Sequence, residues 1–589
     1  MSAMRTHFKS VLQKYLATGV TAFLLFALSA AIASLNAQDY NLPHFAQPID
    51  YPMSLSGTFG EIRRSGFHFG IDLRSQWTDE EDYILSIGDG YISRLLVAAG
   101  GYGNAVYINH PEGYTSVYAH LDRFSPEIEE RIRERQYRDE SFEVDFHLRP
   151  GDFPVEEGEV LGTMGNTGFS FGKHLHFEIR ETDGQRPVNP LLFGYDVADR
   201  HAPVLNEIGI HVLDDRGNVL DRSHYGLRHR GSNKYVVNPT QIEVEGWQFG
   251  ITLKGHDRMT GTNNRNGIYH LQLFVDDSLY HDITFDRLAY SERPFFRTHV
   301  DYAVNVKENK RHHLLYRHEG NQLKLYCDCP TFGIINAYRE QPRNIRITAS
   351  DFQGNESSVE FDVIRAEPPY KREPRLYTHR FEVGKAKTVD LPGASIHFPA
   401  NAFFKKESLY IRENHNKCED CISPVIEIAQ DGIPFFRRPT LSFNTYSFPT
   451  ELRDKVYMGI IDEDGDVRLI AGRWNGRNFE ARIRSAGKYA LFIDTIPPII
   501  KPVQFRKDMR GLPSMSFEIF DELPASMRNG GITYRAEING KWALFEFDLK
   551  NDLITHHFDR PLKPGTHHLK IEVEDAVGNR TKREWEFVR

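Results

Sequence analysis

From residue 39 onward the chain alternates apolar and polar side chains over short stretches separated by glycine, and this period of two restricts it to a mainly β architecture. Within 39–195, stretches such as YISRLLVA and AVYINHPEGYTSVYAHL read as hairpin strands between Gly turns. One segment breaks the pattern: SPEIEERIRERQYRDE opens with Ser125 and Pro126, a helix start, and sets Ile128 and Ile132 at helical spacing. It predicts a short helix inserted in a β domain, its mixed charges forming a solvated face. Beyond Asp196 the β-patterned stretches lengthen, and no long amphipathic helix interrupts them. Aromatic residues make up 12% of the chain, with 27 Tyr and 40 Phe, which favours the same class.

At about 150 residues per domain, 589 residues predict about four domains. The expected boundaries are a signal peptide at 1–37, a first β domain at 39–195, and β-sandwich modules at 196–366, 378–495 and 496–589. A weak repeat supports two of these. IRITASDFQGNESSVEF and LKIEVEDAVGNRTKREWEF each place D-x-x-G-N between two strands, with Asp351, Gly354 and Asn355 in one copy and Asp575, Gly578 and Asn579 in the other. The motif predicts a hairpin turn between the last two strands of a sandwich, and both copies resemble immunoglobulin-like or fibronectin-like modules of exported bacterial proteins. Between them, VDLPGASIHFPANAFF is similar to a β-sandwich of ankyrins and netrin receptors, and Pro497-Pro498 marks the end of that module. DEDGD at 462–466 lacks the further ligands and the closing Glu of a calcium loop, so it reads as a hairpin turn.

Arg5, Lys9 and Lys14 precede an apolar run from Val20 to Ala33, the pattern of a secretory signal peptide. Cleavage is expected after Ala33 or Ala37, the alternative being retention as an anchor. No Cys lies near the end of the run for a lipid anchor, and no later segment has the length and apolarity to cross a bilayer. Export places the chain in the periplasm or cell envelope. Four cysteines occur as Cys327-Asp-Cys329 and Cys418-Glu-Asp-Cys421, which in an oxidising compartment predicts disulfides of open connectivity, with a four-thiolate zinc site as the alternative. A net charge of −9 argues against a nucleic-acid partner, which demands clustered Lys and Arg.

The residues that carry chemistry lie in the first domain. GTFGEIRRSGFHFGIDLR sets His68 and Asp72 four apart around Gly70, an even step that sends both side chains to one face of an extended segment, with Gly70 letting the backbone bend under them. An imidazole and a carboxylate so placed are two of the three protein ligands of a catalytic zinc. GNTGFSFGKHLHFEIR adds His174 and His176 on one strand face, and either completes the set, leaving a fourth position for water. His120, in SVYAHLDRF, ends a strand from which a further imidazole can reach the site. His110 reads as a hairpin-tip residue, and His312-His313, His556-His557 and His567-His568 as solvated surface.

The order H-x-G-x-D, YAHL and G-x-H-L-H-F-E resembles the lysostaphin-type, LytM-like zinc metallopeptidases, whose members cleave peptides of bacterial cell walls. The resemblance spans residues 57–193, about a quarter of the chain. It implies a LytM-like β-sheet peptidase domain with Zn2+ held by His68, Asp72 and His176. His120 and His174 would be the catalytic pair, acting on a zinc-activated water that attacks a peptide bond of peptidoglycan. Lys173 stands where Pro is common in that family. The resemblance also leaves open a non-catalytic activator of wall hydrolases or an adhesion and scaffold protein, and the β modules are expected to meet other proteins of the cell envelope. The helical insert at about 125–146 is expected to govern access to the site.

Overall fold

Fifteen short elements build the first domain, because its strands are cut by glycine turns every few residues. In chain order they are β1 (Leu55–Gly57), β2 (Ile62–Arg63), β3 (Gly66–Phe67), β4 (Ile71–Arg74), β5 (Tyr83–Leu85), β6 (Gly90–Val97), β7 (Ala105–Asn109), β8 (Tyr114–Ala119), β9 (Leu121–Phe124), α1 (Pro126–Asp139), β10 (Val144–His147), β11 (Pro154–Val155), β12 (Val160–Met164), β13 (His174–Glu181) and β14 (Arg186–Val188). The computed structural model describes residues 42–64, 66–76, 81–329, 331–366, 377–415, 418, 420–429, 432–445, 449–523 and 531–589. The signal segment at 1–37 lies outside them. No helix of the described residues is long and apolar enough to cross a membrane.

The main sheet runs β1-β4-β13-β8-β7-β6-β10, antiparallel throughout, with β14 added beside β13 and β11 beside β6. A second sheet of β5, β12 and β9 packs with it. Alternation along β13 decides which face does what. Leu175, Phe177 and Ile179 are fully buried in the core with Ile71, Leu73 and Tyr118, while His174, His176, Glu178 and Arg180 leave the opposite face. Burying side chains of this size contributes about 1.5–3 kcal/mol each, and a one-residue slip of β13 would exchange the two sets.

α1 starts at Pro126, whose missing N–H costs nothing at a helix start, and ends at Glu140 in the left-handed conformation. Ile128, Ile132 and Gln136 pack inward as expected. The outer face corrects the expectation of a solvated surface, because it docks on the C-terminal module. Tyr137 Oη donates to Asp559 at 2.9 Å, Arg133 pairs with Asp559 at 3.0 Å, and Glu140 pairs with Arg535 at 2.7 Å. Tyr137 also meets Trp542 edge-on at 5.2 Å and carries Arg560 over its ring.

Residues 204–365 hold an eleven-stranded sheet in which the long strand Val219–Gly231 pairs with Val204–Leu213 along one part and Lys234–Val237 along another. Residues 379–493 form a six-stranded and a five-stranded sheet over a core rich in phenylalanine, including Phe398, Phe403, Phe435 and Phe443. Two four-stranded sheets follow at 499–588 around Phe517, Phe545 and Ile571. Both D-x-x-G-N motifs form hairpin turns, with Gly354 at φ +86° and Gly578 at φ +78°. DEDGD is likewise a hairpin turn, where Asp462 Oδ1 accepts the N–H of Asp464 and Asp466. Cys327 is bonded to Cys329 and Cys418 to Cys421.

Of the paired histidines, only His557 and His568 are the solvated surface expected. Adjacent residues of a strand face opposite ways, so His556 and His567 turn inward while His557 and His568 stay about half exposed. His312 and His313 are both buried, bonded to Thr252 and His299. His110 is buried too, bridging the carbonyl of Asp89 at 2.9 Å and Ser116 Oγ at 2.7 Å rather than serving only a turn.

Candidate metal centre

Register brings the first pair of site residues together. β4 and β13 align Asp72 opposite His176, and β8 sets Ala119 on the other side of His176, one residue before His120. His68 follows β3 in a bend rather than continuing a strand, so its approach to Asp72 comes from the chain folding under β13 and not from an unbroken extended segment. Gly70 makes that passage possible, since a Cβ there would lie 2.4 Å from the Phe177 carbonyl oxygen.

His68, Asp72 and His176 are buried, and each offers a donor atom within 4.8 Å of the others. His68 Nε2 and Asp72 Oδ1 are 3.1 Å apart, His176 Nδ1 and Asp72 Oδ1 2.9 Å, and the two imidazole nitrogens 2.9 Å. Each ring is oriented from behind. His68 Nδ1–H donates to the Thr58 carbonyl at 2.9 Å, and His176 Nε2–H donates to Glu178 Oε1 at 2.8 Å, which leaves Nε2 of the first and Nδ1 of the second facing inward. Two imidazoles and one carboxylate, each fixed in its tautomer, are the donor set of a three-ligand zinc site.

The other two histidines stand alongside. The His120 ring centroid lies 4.9 Å from His174 and 5.8 Å from His176. His120 holds a φ of +64°, a conformation rare for a non-glycine side chain, and its Nδ1–H donates to the Thr167 carbonyl at 2.7 Å. His174 Nδ1 meets the Gly172 carbonyl at 2.8 Å, and its Nε2 lies 3.6 Å from Asp72 Oδ1. Lys173 ties this loop to the fully buried Asp82 side chain. The loop ahead of β13 presents Phe169 and Phe171 to solvent, and Lys550 of the C-terminal module donates to the carbonyl of Asn166 within it.

Burial opposes charge on every group here, and the neighbours decide the outcome. Burial lowers His68 to about 4, helped by Arg63 and resisted by Asp72. Burial and then the charges of His176 and His174 lower His120 to about 3. For His176 the burial cost is outweighed by hydrogen bonds to Asp72 and Glu178, which raise it to about 9. Asp72 is held well below the usual carboxylate range despite its burial, by His68, His176 and Arg63.

Sequence reasoning missed Glu178 and its partners. Glu178 accepts from the Tyr102 hydroxyl at 2.5 Å, the Tyr290 hydroxyl at 2.9 Å and Arg180 Nε at 2.7 Å. The even steps 174, 176, 178 and 180 along β13 carried the signal for Glu178 and Arg180, whereas Tyr290 comes from the second module and leaves no local trace. That module also supplies Gly267, whose N–H donates to Thr58 Oγ1 at 2.9 Å. Both residues that orient the inward-facing imidazoles of His68 and His176 are therefore buttressed from outside the domain. A pocket of about 560 Å³ opens beside Tyr102, Arg180 and Tyr290, with Arg94, Tyr107 and Asp145 on its wall.

The sequence pattern of peptidase family M23 matches residues 66–137 and 144–190, and that of Zu5-like domains matches residues 378–494. DD-carboxypeptidase/endopeptidase Mpg of Neisseria meningitidis serogroup B is 41% identical over 124 residues, 21% of this chain and 22% of that protein. Murein hydrolase activator NlpD of Escherichia coli is 32% identical over 136 residues, 23% of this chain and 28% of that protein. The chain thus spans less than a third of the length of these relatives. Among solved structures, the catalytic domain of lysostaphin from Staphylococcus simulans aligns at 21% identity over 24% of this chain and 88% of that one, with a TM-score of 0.17.

Proposed function

Because residues 66–137 and 144–190 form a domain of peptidase family M23, we propose that this chain is an exported zinc endopeptidase that hydrolyses peptide cross-links of bacterial peptidoglycan. The observation that carries the reading is the convergence of His68, Asp72 and His176 donors with His120 and His174 beside them. Zinc, when bound, supplies a Lewis acid that polarises the scissile carbonyl and acidifies water. His68 and His176 hold their inward nitrogens in place through Thr58 and Glu178. His120, with Nδ1 committed to Thr167, keeps Nε2 to take a proton from the attacking water. His174, its Nδ1–H donating to the Gly172 carbonyl, reaches the same space from β13 and as the imidazolium donates from Nε2 to the developing oxyanion. The exposed Phe169 and Phe171 offer an apolar edge for substrate, and the β modules position the domain on the wall.

The class of substrate is supported by the relatives named for DD-carboxypeptidase/endopeptidase and murein hydrolase activator. The second of these favours the rival reading of a non-catalytic activator. Release of labelled fragments from purified peptidoglycan separates the two. The zinc-loaded chain should release them unaided, and Asp72→Asn and His120→Ala should not. Release that needs an added wall amidase and survives both substitutions would make the chain an activator.

A further inference from the structure

Away from the peptidase site, the module at 196–366 and the junction of the modules at 378–495 and 496–589 repeat one arrangement of three aspartates. Asp199 lies five residues before the strand Val204–Leu213, Asp257 directly follows Gln248–His256, and Asp351 directly follows Arg343–Ser350. At the second place Asp494, at the end of the preceding module, lies five residues before Ile499–Gln504, while in the last module Asp521 directly follows Ser514–Phe520 and Asp575 directly follows Thr566–Glu574. In each triad the three residues offer carboxylate oxygens within 4.8 Å of one another. The turns match as well. Oδ1 of Asp351 accepts the Asn355 N–H at 2.8 Å, and Oδ1 of Asp575 accepts the Asn579 N–H at 2.8 Å. The amide of each Asn reaches back to the carbonyl of the first aspartate, Asp199 at 3.4 Å and Asp494 at 3.2 Å.

These local bonds leave part of each triad without partners. Asp199 Oδ1 accepts from the N–H groups of His201 and Thr260, and Asp494 Oδ1 from that of Ile496. Oδ2 of Asp199, Asp494 and Asp575, and Oδ1 of Asp257, are buried with no hydrogen-bond partner. Asp257 is 3% exposed and Asp575 6%. A buried carboxylate oxygen left unpaired is costly, and carboxylates facing one another are costlier still unless a cation lies among them. At the first triad His201 stands 3.6 Å from Asp199 with its ring more than half exposed.

We propose that each triad is a binding site for a divalent cation of the calcium type, Asp199, Asp257 and Asp351 holding one ion and Asp494, Asp521 and Asp575 a second. The donors are all oxygen, which selects hard cations over zinc, and calcium accepts the irregular mixture of carboxylates, carbonyls and water that a turn provides. Magnesium demands a near-ideal octahedron that three fixed side chains at a hairpin do not prescribe. Position gives the ions a task. Asp199 and Asp494 each lie at a junction between modules, and the other two aspartates lie at strand ends within the module that follows the junction. Asp494 N–H also donates to the Lys455 carbonyl in the preceding module, and Lys455 Nζ reaches the Val577 carbonyl beside Asp575. A bound ion therefore clamps the entering chain to the closing hairpin and stiffens the joint.

The inference is independent of the peptidase reading, and its test keeps the two metals apart. The full chain is stripped of divalent ions on a chelating resin, given one equivalent of ZnCl2, and dialysed to equilibrium against radioactive CaCl2 at about 1 mM, the upper range for extracellular calcium modules. Two calcium ions per chain are expected, with a rise in Tm. Asp257→Asn and Asp575→Asn should each bind one, and the double variant none. Each substitution removes a repelling charge, so the ion-free Tm should hold or rise while the calcium-induced rise shrinks, and unchanged zinc content reports an intact fold. Less than one calcium per wild-type chain, or two retained in both single variants, overturns the proposal. Equal binding of MgCl2 overturns the choice of ion.

Discussion

Replacing Glu178 with Gln should weaken zinc binding about tenfold while the fold persists. The carboxylate receives His176 Nε2–H at 2.8 Å, and Arg180 and two tyrosine hydroxyls complete its shell. A hydrogen bond to a charged group contributes about 1.5–3 kcal/mol and a neutral one about 0.5–1.5 kcal/mol, so the amide loses about 1.4 kcal/mol of hold on the imidazole. That is about a factor of ten in affinity, within the 10–100-fold range for groups behind a metal ligand. Glu178→Ala goes further. It strands Arg180, whose side chain is only 6% exposed, without its carboxylate, and loss of one partner of a buried pair costs about 3–5 kcal/mol. Zinc affinity is read by competition with a chromophoric chelator, and stability by thermal unfolding of the metal-free protein. Wild-type zinc affinity in Glu178→Gln would refute the argument that this carboxylate orients His176.

His68→Ala and Asp72→Ala should purify without zinc and without wall-cleaving activity, checked by elemental analysis; full zinc occupancy in His68→Ala would remove it as a ligand. His120→Ala should keep its zinc and lose about 10² to 10⁴ in turnover, as expected for a general base, whereas loss of metal would make it a ligand. Gly70→Ala should destabilise the domain by about 1–3 kcal/mol, because its Cβ must displace the Phe177 carbonyl; an unchanged Tm would contradict the close-packing account. Replacing the α1 insert with a Gly-Ser linker should leave zinc bound but change cleavage of intact wall relative to a short soluble peptide. Equal rates on both, in a folded protein, would leave α1 as a bracket for the C-terminal module only.

The alternation that marked the chain as β also predicted the shared face of His174 and His176, because a strand's period of two holds wherever the strand is regular. At His68 the chain bends at Gly70, as the glycine there suggested, and the even step from His68 to Asp72 is satisfied by a fold-back against β13. The same rule was applied too little at the histidine pairs, since one member of each pair in a regular strand must point inward. Glu178 was legible from its even step but silent without the Tyr290 and Arg180 that make it a support. Arg180 follows by the same even step, but the Tyr290 contact, like Gly267 on Thr58 and Asp559 on α1, joins residues more than a hundred positions apart in different modules, and no local pattern encodes it.

The central claim, that the convergent histidines and Asp72 cut a peptide bond of the wall, is tested most directly by mass spectrometry of the fragments that the zinc-loaded chain releases from purified peptidoglycan. The account predicts cross-linked muropeptides converted to products with a new amino terminus within the peptide bridge or stem, and none from His120→Ala. Intact cross-links after prolonged incubation with fully zinc-occupied, folded protein would contradict it.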